Sequence, residues 1–144
     1  MCGIAGILGA NPKNVSTIQL MLEAQKHRGP DARSFWNDGK VIFGHNRLSI
    51  IDLSENANQP MISNCGNYVI VFNGEIYNYL ELKSELKREL KSYTFSTTSD
   101  TEILLAAYIQ WNSKMLEKLN GMFSFAIWNK KENTFFAARD RFGV

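Results

Sequence analysis

Met1-Cys2-Gly3-Ile4-Ala5-Gly6-Ile7-Leu8-Gly9 opens the chain, and how it reads decides the architecture. Its apolar run is too short for a helix and is bounded by Gly9 and by Asn11-Pro12, so residues 3–9 read as a strand. A strand this close to the terminus ties Cys2 into a sheet. Removal of Met1 is usual before a small second residue, and it would leave a thiol and a free α-amine on one residue. An unperturbed α-amine titrates near 7.7–8.0 and a thiol near 8.5, so the amine can take the thiol proton near neutral pH. Cys2 is therefore a candidate nucleophile that needs no histidine partner. Taken alone, an incidental small residue near a terminus is an equally good reading.

Outward from this strand, residues 15–25 place Val15, Ile18, Met21 and Leu22 on one helical face, and Gly29-Pro30 stops that helix. Residues 34–36 and 41–47 read as strands joined across Asn37-Asp38-Gly39, a hairpin signal. Residues 48–67 read as irregular, and 68–73 as a buried strand. Tyr79, Leu82, Leu86 and Leu90 stripe a helix that Asn78 would cap, with Glu81 three residues on. A further helix covers 100–111, with Ser99 and Glu102 as a capping box. Residues 122–128 and 134–139 pair across Lys130-Lys131-Glu132-Asn133. Hairpins mixed with helices give an α+β class with antiparallel sheets.

Composition bounds the function. The 144 residues fit one domain, and the 44% hydrophobic content is ordinary for a globular chain. A formal net charge of +2 is too small to imply nucleic acid or an anionic membrane surface. No apolar run approaches the ~20 residues of a membrane helix, and no signal segment is visible. Cys2 and Cys65 make no disulfide framework. They and the isolated His27 and His45 show no metal-ligand spacing, so no metal and no cofactor is expected in this chain. The expected location is the cytoplasm.

Other residues offer chemistry against simpler readings. Asn73-Gly74 could aim a side-chain and a backbone N–H at one oxygen, as an oxyanion hole requires. Asn-Gly is also the commonest turn dipeptide, and alone it reads first as a turn. Arg47 could grip a carboxylate with its guanidinium fork, or pair on the surface with Asp52. Asp100 suits a helix start. Glu75 reads as exposed, and His27-Arg28-Gly29-Pro30-Asp31 as a helix stop. No Ser-Gly-Gly-x-Asp phosphate loop is present.

Together, Met-Cys-Gly-Ile-Ala-Gly at 1–6, His-Arg-Gly-Pro-Asp at 27–31, Arg-Leu-Ser-Ile-Ile-Asp at 47–52, Gln59-Pro60-Met61, Phe-Asn-Gly-Glu-Ile-Tyr-Asn at 72–78, Ser-Asp-Thr-Glu at 99–102 and Arg-Asp-Arg-Phe-Gly at 139–143 resemble the class II glutamine amidotransferase family. The likeness is greatest to the glutaminase part of glutamine-hydrolysing asparagine synthetases. It implies an N-terminal nucleophile hydrolase fold over residues 1–144, a four-layer αββα sandwich with two antiparallel sheets. It implies Cys2 as nucleophile and base, with the Asn73 side chain and the Gly74 N–H as oxyanion hole. Arg47 would hold the α-carboxylate of L-glutamine, and Asp100 with Glu75 its α-ammonium. Leu48, Ser49, Ile50 and Ile51 would line the pocket. The released ammonia would pass to a synthetase domain that uses ATP and Mg. That domain, and the last strands of the sandwich, are expected to follow residue 144. A sugar acid of a surface polysaccharide is an alternative acceptor. A catalytically inactive docking module and an amide hydrolase without ammonia transfer are the competing classes. A homodimer is compatible with the reading.

Overall fold

The computed structural model describes residues 1–9, 11 and 14–144, which form seven strands and three α-helices. Strand β1 (Gly3–Leu8) pairs antiparallel with β3 (Val41–Arg47), and β3 pairs with β2 (Ala32–Asn37), giving a three-stranded sheet in the order β1-β3-β2. Pro12, at which the sequence closes the first segment, lies outside the described residues. The second sheet has the order β4-β5-β6-β7, from β4 (Met61–Ile62), β5 (Tyr68–Ile76), β6 (Gly121–Asn129) and β7 (Thr134–Arg139). All its pairings are antiparallel.

Side-chain alternation along the strands builds the layers. On β3, Val41 and Phe43 turn inward and meet Val69, Val71 and Trp128 of the second sheet. Ile42, between them, turns outward and joins Ile18 and Leu22 of α1 (Asn14–Ala24), together with Ala5. On the far side of the second sheet, Ile70, Phe72, Phe125 and Ile127 pack on α2 (Tyr79–Glu89) and α3 (Asp100–Trp111). The result is helix, sheet, sheet, helices: the αββα sandwich that the resemblance implied.

Three local readings need correction. Asn78 precedes α2 but accepts no capping bond. Its amide instead donates to Lys118 O and accepts from Asn120 N–H, tying the start of α2 to the segment before β6. Ser99 does cap α3, accepting from Thr101 N–H at 3.1 Å, but Glu102 does not close a capping box. Its buried carboxylate takes the N–H and hydroxyl groups of Ser96 and Thr97, while Ser99 N–H goes to Thr97 Oγ1. The third correction matters most. Asn73-Gly74 is not a turn; both residues lie within β5, opposite Ser124 and Phe123 of β6.

Candidate active site

Gly74 shows why the turn reading fails. Its φ is +154°, and a Cβ there would sit 2.2 Å from Met122 O. The glycine serves close strand contact, in a conformation L side chains rarely adopt. The direction of its N–H follows from the ladder. Phe72 N–H and Ile76 N–H both point away from β6, to Gln59 Oε1 at 2.6 Å and Asp100 Oδ2 at 3.0 Å. Antiparallel alternation sends Gly74 N–H to the same side, where a cavity of about 210 Å³ opens. This is small beside the ~300–1,000 Å³ of drug-sized sites and suits a ligand of amino-acid size.

Cys2, Arg47, Leu48, Ile50, Ile51, Gly74, Glu75 and Asp100 all line this cavity. Ser49 and Asn73 are not on its wall. Asn73 precedes Gly74, and its Oδ1 is buried with no hydrogen-bond partner. Ser49 directs its N–H instead to Asp31 Oδ2 at 2.7 Å. Cys2 Sγ receives the N–H of Leu48 at 3.3 Å and faces Leu48 O at 3.6 Å, so the residue after β3 holds the thiol.

The cavity wall also carries charged groups. Arg47 is buried, and it is not paired with the Asp52 carboxylate. Its Nη1 donates to Ser54 O and Asn58 Oδ1 at 2.8 and 2.7 Å, and its Nη2 donates to Asp52 O. A guanidinium has five N–H groups, so the Nε side of the fork is left for a carboxylate. The Asp52 carboxylate reaches across to Thr98 N–H and Oγ1, at 2.8 and 2.9 Å, and to Ser54. Those bonds, Ser54 first, hold it well below the usual carboxylate range. Asp100 moves the other way. Burial, and secondarily the charge of Glu75, push it up to about 6, although Ile76 and Thr101 N–H groups oppose the shift. Two acidic groups in one buried corner form a natural seat for a cation.

Arg28 and Asp31 are functional neighbours that the helix-stop reading missed. Arg28 Nε donates to Cys2 O at 2.9 Å, and Asp31 N–H donates to Arg47 O at 3.0 Å. Gly29 lets this segment lie against β3, since a Cβ would fall 2.3 Å from Asn46 O. Residues 28–31 thus brace both the segment that carries Cys2 and the loop after β3. The visible signal was a glycine between an arginine and an aspartate. The partners, 26 and 18 residues away, were not visible locally.

A sequence model described as a glutamine amidotransferase domain matches residues 1–144. The chain belongs to the glutamine amidotransferase domain family. Among curated relatives, this glutamine amidotransferase domain is 46% identical over 149 residues to the glutamine-hydrolysing asparagine synthetase 1 of Bacillus subtilis (strain 168), covering 100% of the chain and 23% of the relative. It is 42% identical to asparagine synthetase 3 of the same organism, covering 100% of the chain and 24% of the relative. The chain therefore spans about a quarter of the length of these relatives. Among solved structures it is similar to the glutamine phosphoribosylpyrophosphate amidotransferase of B. subtilis complexed with ADP and GMP. That match has a TM-score of 0.56 and 26% identity, and covers 72% of this chain and 24% of that one.

Proposed function

We propose that this domain hydrolyses L-glutamine to glutamate and ammonia, with Cys2 as nucleophile once Met1 has been removed. The observation that carries this reading is a single small cavity whose wall brings together a thiol, a backbone N–H, a guanidinium and two carboxylates. The α-carboxylate of glutamine takes the Nε side of Arg47, and its α-ammonium sits against Asp100 and Glu75. The side-chain amide then lies over Cys2.

The freed α-amine of Cys2 accepts the thiol proton, and the thiolate adds to the amide carbon. The carbonyl oxygen becomes an oxyanion that Gly74 N–H and the Asn73 amide hold. The protonated α-amine of Cys2 gives that proton to the amide nitrogen, the C–N bond breaks, and ammonia leaves a thioester. Water then adds to the thioester as the amine takes its proton, the C–S bond breaks, and glutamate and the thiol return. With Met1 in place the Cys2 nitrogen is a non-basic amide, so trimming is a step of activation. The names of the two Bacillus relatives support aspartate as the acceptor of the ammonia in a synthetase domain; that this domain uses ATP and Mg is part of the same proposal.

The test is ammonia release from glutamine by protein whose trimmed N-terminus is verified by mass spectrometry. Turnover should vanish in Cys2→Ala and nearly vanish in Cys2→Ser. Undiminished release in Cys2→Ala would remove the nucleophile assignment.

A further inference from the structure

Strand β5 has an uneven outer edge. Strand β4 covers it only through Ile70 and Val69, opposite Met61 and Ile62. Beyond that point the backbone groups of Phe72 face away from β6 with no strand beside them. They are deep in the sandwich, and an unpaired buried peptide group is costly. Two buried side chains replace the missing strand. Gln59 Oε1 accepts from Phe72 N–H, and His45 Nε2 lies 3.2 Å from Phe72 O. A carbonyl only accepts, so Nε2 carries the proton in this contact. Gln59 is itself held, since its Nε2 donates to Thr101 Oγ1 at 3.1 Å, next to Asp100.

The peptide held from its carbonyl side by His45 is the one joining Phe72 to Asn73, and Gly74 follows. The next outward N–H along the edge is that of Gly74, which lines the cavity. The His45 contact is also not what stability alone would select. His45 is 1% exposed, and its Nδ1 is buried without a partner, a defect that a purely structural residue avoids. Burial first, and then the charge of Arg47, hold its ring at about 4, against the opposing bond to Phe72, so it is a neutral donor at neutral pH.

We propose that His45 and Gln59 are positioning residues for glutamine hydrolysis, clamping Phe72 from its two polar sides so that Asn73 and Gly74 present their N–H groups to the oxyanion. This rests on the glutaminase reading above. Neither side chain donates to the oxyanion; each acts through the β5 backbone. The effect therefore falls on the chemical step and spares glutamine binding, which depends on Arg47 and Asp100.

The experiment compares His45→Leu and His45→Gln in the full-length native polypeptide. In His45→Leu, glutaminase kcat should fall about 10- to 100-fold, the loss expected when donors shift by a fraction of an ångström to an ångström. Glutamine Kd, measured in a Cys2→Ala background, should move by less than about threefold. His45→Gln places an N–H near the former Nε2 and should restore most of kcat. A His45→Leu enzyme within about twofold of wild-type kcat overturns the inference, as does a Kd that weakens in step with kcat. If His45→Leu does not fold, Gln59→Met frees the N–H side of the same residue, Phe72, and should show the same loss in kcat alone; unchanged kcat in that folded variant is equally decisive against it. A wild-type protein that does not hydrolyse glutamine overturns the parent reading and this inference with it. Active wild type with an unaffected His45→Leu overturns only the inference.

Discussion

The proposed glutamine pose divides the cavity into a reacting end and a recognition end, and the two are built differently. The reacting end stands on strands: Cys2 precedes β1, and Gly74 lies inside β5. Its geometry is backbone geometry, fixed by ladders on both sheets. The recognition end stands on a loop and a helix start. Arg47 and Asp52 hold residues 48–58 through side-chain bonds, and Asp100 enters from the first turn of α3. The difference teaches where each end is vulnerable. We expect changes at the reacting end to act through shape and on kcat, and changes at the recognition end to act through charge and on KM.

The sharpest break of this comparison is Gly74→Ala. The added Cβ meets Met122 O and the Phe123 backbone, neither of which can move without opening β6. We expect kcat to fall at least ~10²-fold, the scale of losing one oxyanion donor. Thermal unfolding should also occur at lower temperature. An active, equally stable Gly74→Ala protein would show that the strand does not set the reacting end.

Arg47→Ala tests the other end. Its expected signature is a glutamine KM raised on the order of 10²-fold, as befits loss of a charge-assisted, two-pronged contact of about 1.5–3 kcal/mol. Steady-state kinetics over a wide glutamine range separates this from a loss in kcat. A fall in kcat with unaltered KM would place Arg47 in the chemistry.

The smallest effects are pH-dependent, and they have opposite signs. His45 binds its proton less readily folded than unfolded, so it destabilises the fold progressively as pH drops from about 6.5 to about 4. Asp100 binds its proton more readily folded, so it adds stability as pH drops through about 6 and withdraws it as pH rises. Each shift corresponds to something on the order of 3 kcal/mol, and the two largely cancel between pH 4 and 6. Denaturant unfolding at pH 7 and pH 4.5 should reveal them separately. On acidification His45→Gln should gain stability relative to wild type, and Asp100→Asn should lose it. Asp100 should also make wild-type glutamine KM fall as pH rises through about 6, a dependence absent in Asp100→Asn. A wild-type KM that is flat with pH would take the α-ammonium away from Asp100.

Cys65 adds a warning for labelling work. Its turn carries no cation of its own, although Lys130 donates to Gly66 O beside it; desolvation opposes ionisation, yet hydrogen bonds from Ser63 and Asn67 outweigh it and bring the exposed thiol below its ordinary range. Selective modification of Cys2 must therefore rely on a glutamine-shaped reagent and not on thiol reactivity.

The sequence by itself determined the elements that local chemistry specifies. The apolar run after Cys2, the Asn37-Asp38-Gly39 hairpin and the Ser99-capped helix all lie where propensity and spacing place them: the hairpin and the cap close over a few residues, and the run is marked as a strand by its own apolar length and its flanking turn residues. The motifs together also pointed to the family and to the layered α+β fold. What only the tertiary structure decided lies where partners are distant. Asn73-Gly74 prefers a turn locally, and pairing with Ser124 and Phe123 overrides that preference. Arg28 and Asp31 look like a helix stop until Cys2 and Ser49 come beside them, and Arg47 takes backbone carbonyls where an ion pair with Asp52 was the simple reading. His45, isolated in the sequence, gains its role only when β3 packs on β5. A buried polar group must find a partner wherever the fold provides one, and that search runs through space, so these contacts had no signature along the chain.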